Sequence, residues 1–231
     1  VSGAGDVNGD GFDDLIIGAK YGDPNGRGNE GETYVVFGGN FTGGVETQVG
    51  GAGAQTLTAN QGAAARDVLI GGLGADILIS DGGSDVLIGG EGDDSLRIVD
   101  VDFSGTRRLN GGTGTDTLVL SGSGLHLDLT AIADNRIFDI EVIDLTGSGN
   151  NTLTLDQLEV LNLSSSSNTL TVRRNVGDAV IIGAGWTSGG TVVDGGVTYD
   201  LFTQGAATLR IEALSLVVTT AMDVIDNNDG L

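Results

Sequence analysis

The sequence predicts an all-β fold: a parallel β-roll that continues as a β-solenoid, preceded by a β-hairpin or blade with an acidic loop. Three observations predict it. Residues 62–97 read GAAARDVLI, GGLGADILI, SDGGSDVLI and GGEGDDSLR, four blocks of nine laid end to end. Asp67, Asp76, Asp85 and Asp94 recur at the sixth place, and a separate block at 111–119, GGTGTDTLV, puts Asp116 there too. Beyond residue 140, short aliphatic stretches alternate with polar turns and echo one another.

The period has a physical reading. The small, mostly glycine half of each block can turn tightly, because glycine reaches positive φ without steric cost. The aliphatic half, such as Val86-Leu87-Ile88, is too short for a helix and rich in strand formers. A short strand that buries one face must stack on a neighbour. Nine residues therefore make half a coil and eighteen a full turn, which brings Asp67 to Asp85 and Asp76 to Asp94.

Stacked carboxylates repel. At roughly the 4.8 Å strand spacing the cost is about 1 kcal/mol per pair in water, and more when buried. A hard divalent cation removes that repulsion. Calcium suits best, since it accepts about six to eight oxygens in flexible geometry, backbone carbonyls of glycine turns included. The candidate ligands are Asp67, Asp76, Asp85, Asp94 and Asp116, with the turn glycines Gly72, Gly74, Gly83, Gly90, Gly92, Gly112 and Gly114.

The blocks resemble the GGxGxDxUx calcium-binding nonapeptide of RTX (repeats-in-toxin) proteins. Gly71-Gly72-x-Gly74-x-Asp76-x-Leu78 matches in full, as do the blocks at Gly89 and Gly111. The block at Ser80 has Ser80-Asp81 in place of the paired glycines, and the block at residue 62 keeps mainly Gly62 and Asp67. The resemblance implies several calcium ions.

Residues 1–39 carry a different acidic motif. Asp6, Asn8, Asp10 and Asp14 stand at places 1, 3, 5 and 9 of a loop, with Gly11 at place 6 and Phe12 at place 7 to offer its carbonyl. Ile17 occupies place 12, where an EF-hand has its glutamate, and the flanks Leu15-Ile16-Ile17 and 33–37 read as strands. The segment, with Gly18-Ala19-Lys20 and Phe37-Gly38, resembles the FG-GAP repeat of integrin-type β-propellers. That resemblance implies calcium ligation by the side chains of Asp6, Asn8, Asp10 and Asp14. One repeat is at most one blade. Either further blades precede Val1, or the blade caps the solenoid, or it docks on another copy.

The remaining divisions follow composition. Residues 40–61 read as a linker in which 56–58 adds one weak strand, 62–119 as the roll, 120–220 as a metal-poor solenoid with a C-terminal cap, and 221–231 as an acidic tail. The gap of 22 between Asp94 and Asp116 implies a bulge near 100–108. Glu141–Leu145 and Asn151–Leu155 are echoed by Glu159–Leu163 and Asn168–Val172, which suggests that the 18-residue coil persists. Trp186 and Tyr199 are candidate plugs for the open end. The stretch from about 116 to 211 resembles segments that follow RTX blocks in large bacterial type I-secreted surface proteins, although Arg173-Arg174 falls where those carry acids.

Composition narrows function. The chain has 231 residues, 42 glycines and one proline, with a formal net charge of −22. Nucleic acid and anionic membrane surfaces would be repelled. There is no cysteine, so disulfides and thiolate metal sites are excluded. No apolar run approaches the roughly 20 residues of a spanning helix, so no membrane insertion is expected. His126, the single histidine, alternates with Leu125 and Leu127 and reads as a surface strand residue. No enzyme is expected. The expected function is a calcium-stabilised structural segment of a secreted or cell-surface protein, for adhesion, matrix or filament assembly, with other copies of itself as partners. Two alternatives stand beside it: a calcium-dependent module that binds a surface protein or glycan, and a non-catalytic repeat region of an RTX exoenzyme or toxin.

Overall fold

The structure is a computed structural model that describes residues 1–5, 7, 13–20, 32–36, 47–59, 66–103, 105–164 and 166–214. These residues are mostly strand. The acidic loop residues Asp6, Asn8, Asp10 and Phe12, the end of the expected solenoid at 215–220, and the tail at 221–231 lie outside them.

Strands β1 (Ser2–Gly5), β2 (Asp14–Ala19) and β3 (Glu32–Val36) form an antiparallel three-stranded sheet in chain order. The next strands alternate between two sheets. β4 (Thr47–Val49), β6 (Val68–Leu73), β8 (Val86–Glu91) and β10 (Arg108–Thr113) lie side by side in one; β5 (Thr56–Thr58), β7 (Ile77–Ile79), β9 (Ser95–Ile98) and β11 (Thr117–Leu120) lie side by side in the other. Every pairing among these eight is parallel. The backbone thus winds from one sheet to the other and back.

Register explains why the leucines recur. Leu69 pairs with Leu87 and Leu78 with Leu96, each 18 residues on, and Leu87 pairs with Leu109, 22 on. All five of these leucines between the sheets have no solvent exposure, while the flanking Ile70, Ile77, Ile79 and Ile88 are half-buried on the outer faces. Strand alternation sends the middle residue of each aliphatic triplet inward. The two-sided core is therefore one leucine thick, which suits a chain with 4% aromatics.

Three expectations need correction. Residues 47–58 are not merely a linker: β4 and β5 pair with β6 and β7 and begin both sheets. The insert after Ile98 does not simply bulge. Val101 and Phe103 pack on the core, and Arg107 is fully buried, with its guanidinium on the Asp100 carboxylate and 5.4 Å from the centre of the Phe103 ring. Burial raises the Asp100 pKa, but the bond and charge of Arg107 with the N–H groups of Asp102 and Gly83 together outweigh it and hold the carboxyl below its ordinary range.

The third correction concerns the 18-residue echo. After β11 the chain adds β12 (His126–Asp128), a 3₁₀ turn at Leu129–Ala131, β13 (Ile137–Phe138), β14 (Val142–Asp144), β15 (Thr152–Leu155), a helix α1 (Gln157–Leu163), β16 (Thr169–Arg173) and β17 (Ala179–Ile182). Leu118 pairs with Ile143, Leu127 with Leu153, Leu153 with Val180 and Ile143 with Val172. Those steps are 25, 26, 27 and 29 residues, so each turn is longer and has room for a further side, the parallel sheet β12-β15-β17. Residues 159–163 do not repeat β14, because they are helical. Asp156 caps the helix by accepting from the N–H groups of Leu158 and Glu159, and Val160 and Leu163 bury its inner face. Two antiparallel strands, β18 (Thr187–Asp194) and β19 (Val197–Gln204), then join β20 (Ala207–Glu212) to finish the nine-stranded sheet. Trp186 packs on the core, whereas Tyr199 is buried apart from that cluster. His126 is exposed, as its alternation with leucines predicts.

Truncation of one inner leucine should be costly, because no second layer can close over the gap. Leu87→Ala is expected to lower stability by about 2–5 kcal/mol in urea unfolding at saturating calcium, and an unchanged midpoint would contradict the register above.

Candidate metal centre

The turns between the two sheets carry the acids, and the stack lines them up. On one side the column runs Gln55, Asp76, Asp94, Asp116, Glu141. The N–H of Gln55 donates to Asp76 Oδ1 at 2.7 Å, that of Asp76 to Asp94 Oδ1 at 2.7 Å, that of Asp94 to Asp116 Oδ1 at 2.8 Å, and that of Asp116 to Glu141 Oε2 at 2.9 Å. Each carboxylate thus ties its own turn to the turn before. Its second oxygen is left over: Asp76 Oδ2, Asp94 Oδ2 and Asp116 Oδ2 are buried without a hydrogen-bond partner.

The glycines of these turns are packed backbone to backbone. A Cβ on Gly90 would stand against the Gly72 carbonyl oxygen, one on Gly92 against that of Gly74, and those on Gly112 and Gly114 against the carbonyls of Gly90 and Gly92, all nearer than real contacts allow. Gly90 and Gly92 also have φ of 115° and 124°, which a side chain would strain. The recurring glycines therefore keep successive turns close enough for one aspartate to reach the next.

On the opposite side Asp67 and Asp85 are neighbours. The Asp67 N–H donates to Asp85 Oδ1 at 2.9 Å, and Ser80 Oγ donates to Asp85 Oδ2 at 2.6 Å. Oxygens of Asp67, Asp81 and Asp85 all lie within 4.8 Å of one another. Gly83 in the same turn has φ of 75°, and its N–H is bonded to the Asp100 carboxylate. Arg107 follows Asp85 in register and ends this acidic column, although its guanidinium turns to Asp100.

The electrostatics have one direction. Burial raises the carboxyl pKa of Asp94, Asp85 and Glu141, against the hydrogen bonds that each accepts. For Asp116 burial is again the main cause; the Asp94 N–H opposes it, the charges of Asp94, Glu141 and Asp93 add to it, and the pKa reaches about 7. Buried acids in contact favour the neutral form unless a cation joins them.

The later turns supply an internal contrast. Asn151 uses the same device: its Oδ1 accepts the N–H of Leu125 at 2.9 Å, and its own N–H donates to Asp178 Oδ1 at 2.8 Å. Here nothing is left over. The Asn151 amide donates to the Leu145 carbonyl at 3.0 Å, and Asp178 Oδ2 accepts from Asn175 at 2.8 Å. Hydrogen bonds satisfy this column, whereas the aspartate column has a buried anionic oxygen per turn. Those oxygens, all hard donors, fit calcium.

Residues 61–96 match four copies of the RTX calcium-binding nonapeptide repeat, and residues 1–36 match the FG-GAP repeat. The chain carries both repeats. A search of characterised proteins found no match to the chain. The RTX match ends at residue 96, yet Gly112 pairs with Gly90 and Thr117 with Ser95, so the block at 111–119 stacks directly on the matched repeats. In the FG-GAP repeat, the described ligand candidate is Asp14. It is buried at the start of β2, with Oδ2 accepting the Val7 N–H at 2.7 Å, so its carboxylate ties β2 to Val7.

Three site residues escape the nonapeptide pattern. Asp81 occupies a paired-glycine place and is signalled only as an extra acid in its block. Glu141 lies 25 residues after Asp116, outside any count of nine, and Gln55 is not acidic.

Two outcomes follow for the metal-free protein. Asp94→Asn should retain more strand signal than the parent in chelator near neutral pH, because an amide replaces a buried anion, and should weaken calcium binding at the same time; a metal-free variant that loses more signal than the parent would contradict this. The Asp116 pKa is raised in the fold relative to about 3.9 unfolded, so its contribution is full below about pH 4 and is lost as pH rises through about 7. Urea midpoints in chelator should fall from about pH 5 to pH 8, and the calcium concentration needed for folding should fall over the same range. Midpoints that rise with pH in chelator would contradict the shift.

Proposed function

We propose that the chain is a calcium-stiffened structural segment of a secreted or cell-surface protein that serves adhesion, matrix or filament assembly. Asp76, Asp94 and Asp116 with Gly72, Gly74, Gly90, Gly92, Gly112 and Gly114 would hold calcium on one side of a parallel β-roll, and Asp67, Asp81, Asp85 and the turn at Gly83 on the other. Asp6, Asn8, Asp10, Phe12 and Asp14 would hold a further ion. The single supporting observation is the buried column of carboxylates with one unpartnered oxygen each. Calcium there supplies charge neutralisation and bridges successive turns.

The mechanism is linkage. Extracellular modules bind calcium at about 10⁻⁴ to 10⁻³ M, and a tenfold excess of free ion stabilises each site by about 1.4 kcal/mol. Several sites together match the stability of a small domain. The chain would remain unfolded at submicromolar calcium and fold after export. No described helix is long and apolar enough to cross a membrane. Assembly with other copies is supported by the outer edges of β4 and β5, which no described strand covers.

A calcium titration tests this reading. Circular dichroism should show strand signal growing cooperatively with calcium and collapsing with chelator near neutral pH. Asp76→Asn with Asp94→Asn should raise the calcium midpoint several-fold. Sedimentation at saturating calcium should show ordered polymers, whereas stable monomers would overturn the assembly part. A fully folded, unaltered chain in chelator would overturn the linkage.

A further inference from the structure

The nine-stranded sheet has an outer face that the acid columns touch only through Glu141, the last residue of one of them. Where β14, β16 and β20 run together, a groove of about 510 Å³ opens on this face, within the range of ligand clefts. The hairpin of β18 and β19 forms its far wall. Its two-residue turn, Gly195-Gly196, has φ of 56° and 83°, the positive values that let a tight hairpin follow strand twist. The turn fixes Asp194 over β20, where its Oδ2 is 3.4 Å from Arg210 Nη1.

The lining is unusual for this chain. Only 10 of its residues are Lys or Arg against 32 Asp or Glu, yet Arg173 and Arg210 both line the groove. Arg173 is exposed, and its side chain has no ion pair among the described residues. Arg210 has its Nε buried without a hydrogen-bond partner, so part of its donor fork is unused. Glu141 and Asp194 add carboxylates to the lining, and Thr171 pairs directly with Arg210 and stands two residues before Arg173 on the same strand.

We propose that this groove binds a carboxylated saccharide of the uronic acid type. Guanidinium forks pair with a planar carboxylate through two parallel bonds. Carboxylates and a threonine hydroxyl on the walls accept from sugar hydroxyls, which a simple carboxylic acid would not offer. A phosphate dianion or nucleic acid fits poorly, because Glu141, Asp194 and the surrounding negative charge would repel it. An apolar ligand would strand the arginines unpaired. The ring substituents of a uronate carry one anionic group and several hydroxyls, the combination that the lining complements. None of this depends on calcium at Asp76 or Asp94, and calcium-dependent folding serves as a separate control.

The test uses the full chain at saturating calcium with cellobiuronic acid as probe and cellobiose as its neutral match. Titration followed by amide NMR should give saturable binding of cellobiuronic acid, with shifts concentrated at Thr171, Arg173, Asp194 and Arg210, and at least tenfold weaker binding of cellobiose. Arg173→Gln with Arg210→Gln should weaken cellobiuronic acid at least tenfold and leave the calcium midpoint unchanged. The shift map of the parent chain decides the matter if that variant fails to fold. No saturable binding, equal binding of the two sugars, or shifts confined to other surfaces would overturn the proposal.

Discussion

Buried carboxylates in contact are the constraint on which the rest of this structure depends. The stack needs each aspartate where it is, because its Oδ1 accepts the N–H of the preceding turn where the chain leaves one sheet for the other. The same placement drives the second oxygen into a dry position beside other acids. Backbone satisfaction and charge repulsion are thus two consequences of one side chain. The fold can resolve the conflict by protonation, by replacement with an amide, or by a cation. Asn151 shows the amide solution in the later turns. The RTX repeats retain the anion, and with it the repulsion that the proposed calcium would relieve.

Leucine packing and glycine packing set the geometry in which that conflict arises. A core one leucine thick holds the two sheets at a fixed separation, and glycines without room for a Cβ hold successive turns in contact. Neither is strong by itself. A solenoid of short strands has few contacts beyond nearest neighbours, so its ends and its charge columns weigh heavily on stability. The antiparallel strands β18 and β19 with the buried Tyr199 finish one end.

Much of this was legible in the sequence where the spatial repeat and the sequence repeat coincide. Asp67 with Asp85 and Asp76 with Asp94 follow from a count of eighteen, and the four extra residues before Asp116 follow from the count of 22. Legibility fails where turns change length. The likeness of 159–163 to 141–145 suggested another strand, but Asp156 provides a helix cap that only the local hydrogen bonds disclose. Glu141 closes the acid column from 25 residues away, because β14 returns at that distance and not at eighteen. Asp81 was masked by its place among missing glycines. The groove has no sequence signature at all, since it joins residues from 115 to 210 across three strands and a hairpin.

The central claim is that divalent ions complete the aspartate columns. Native mass spectrometry of the calcium-saturated chain counts them directly. The account predicts a folded chain carrying several calcium ions, with the count reduced when Asp94 is replaced by asparagine. A folded chain that carries no bound calcium in the same buffer, or an unchanged count in the variant, would contradict it.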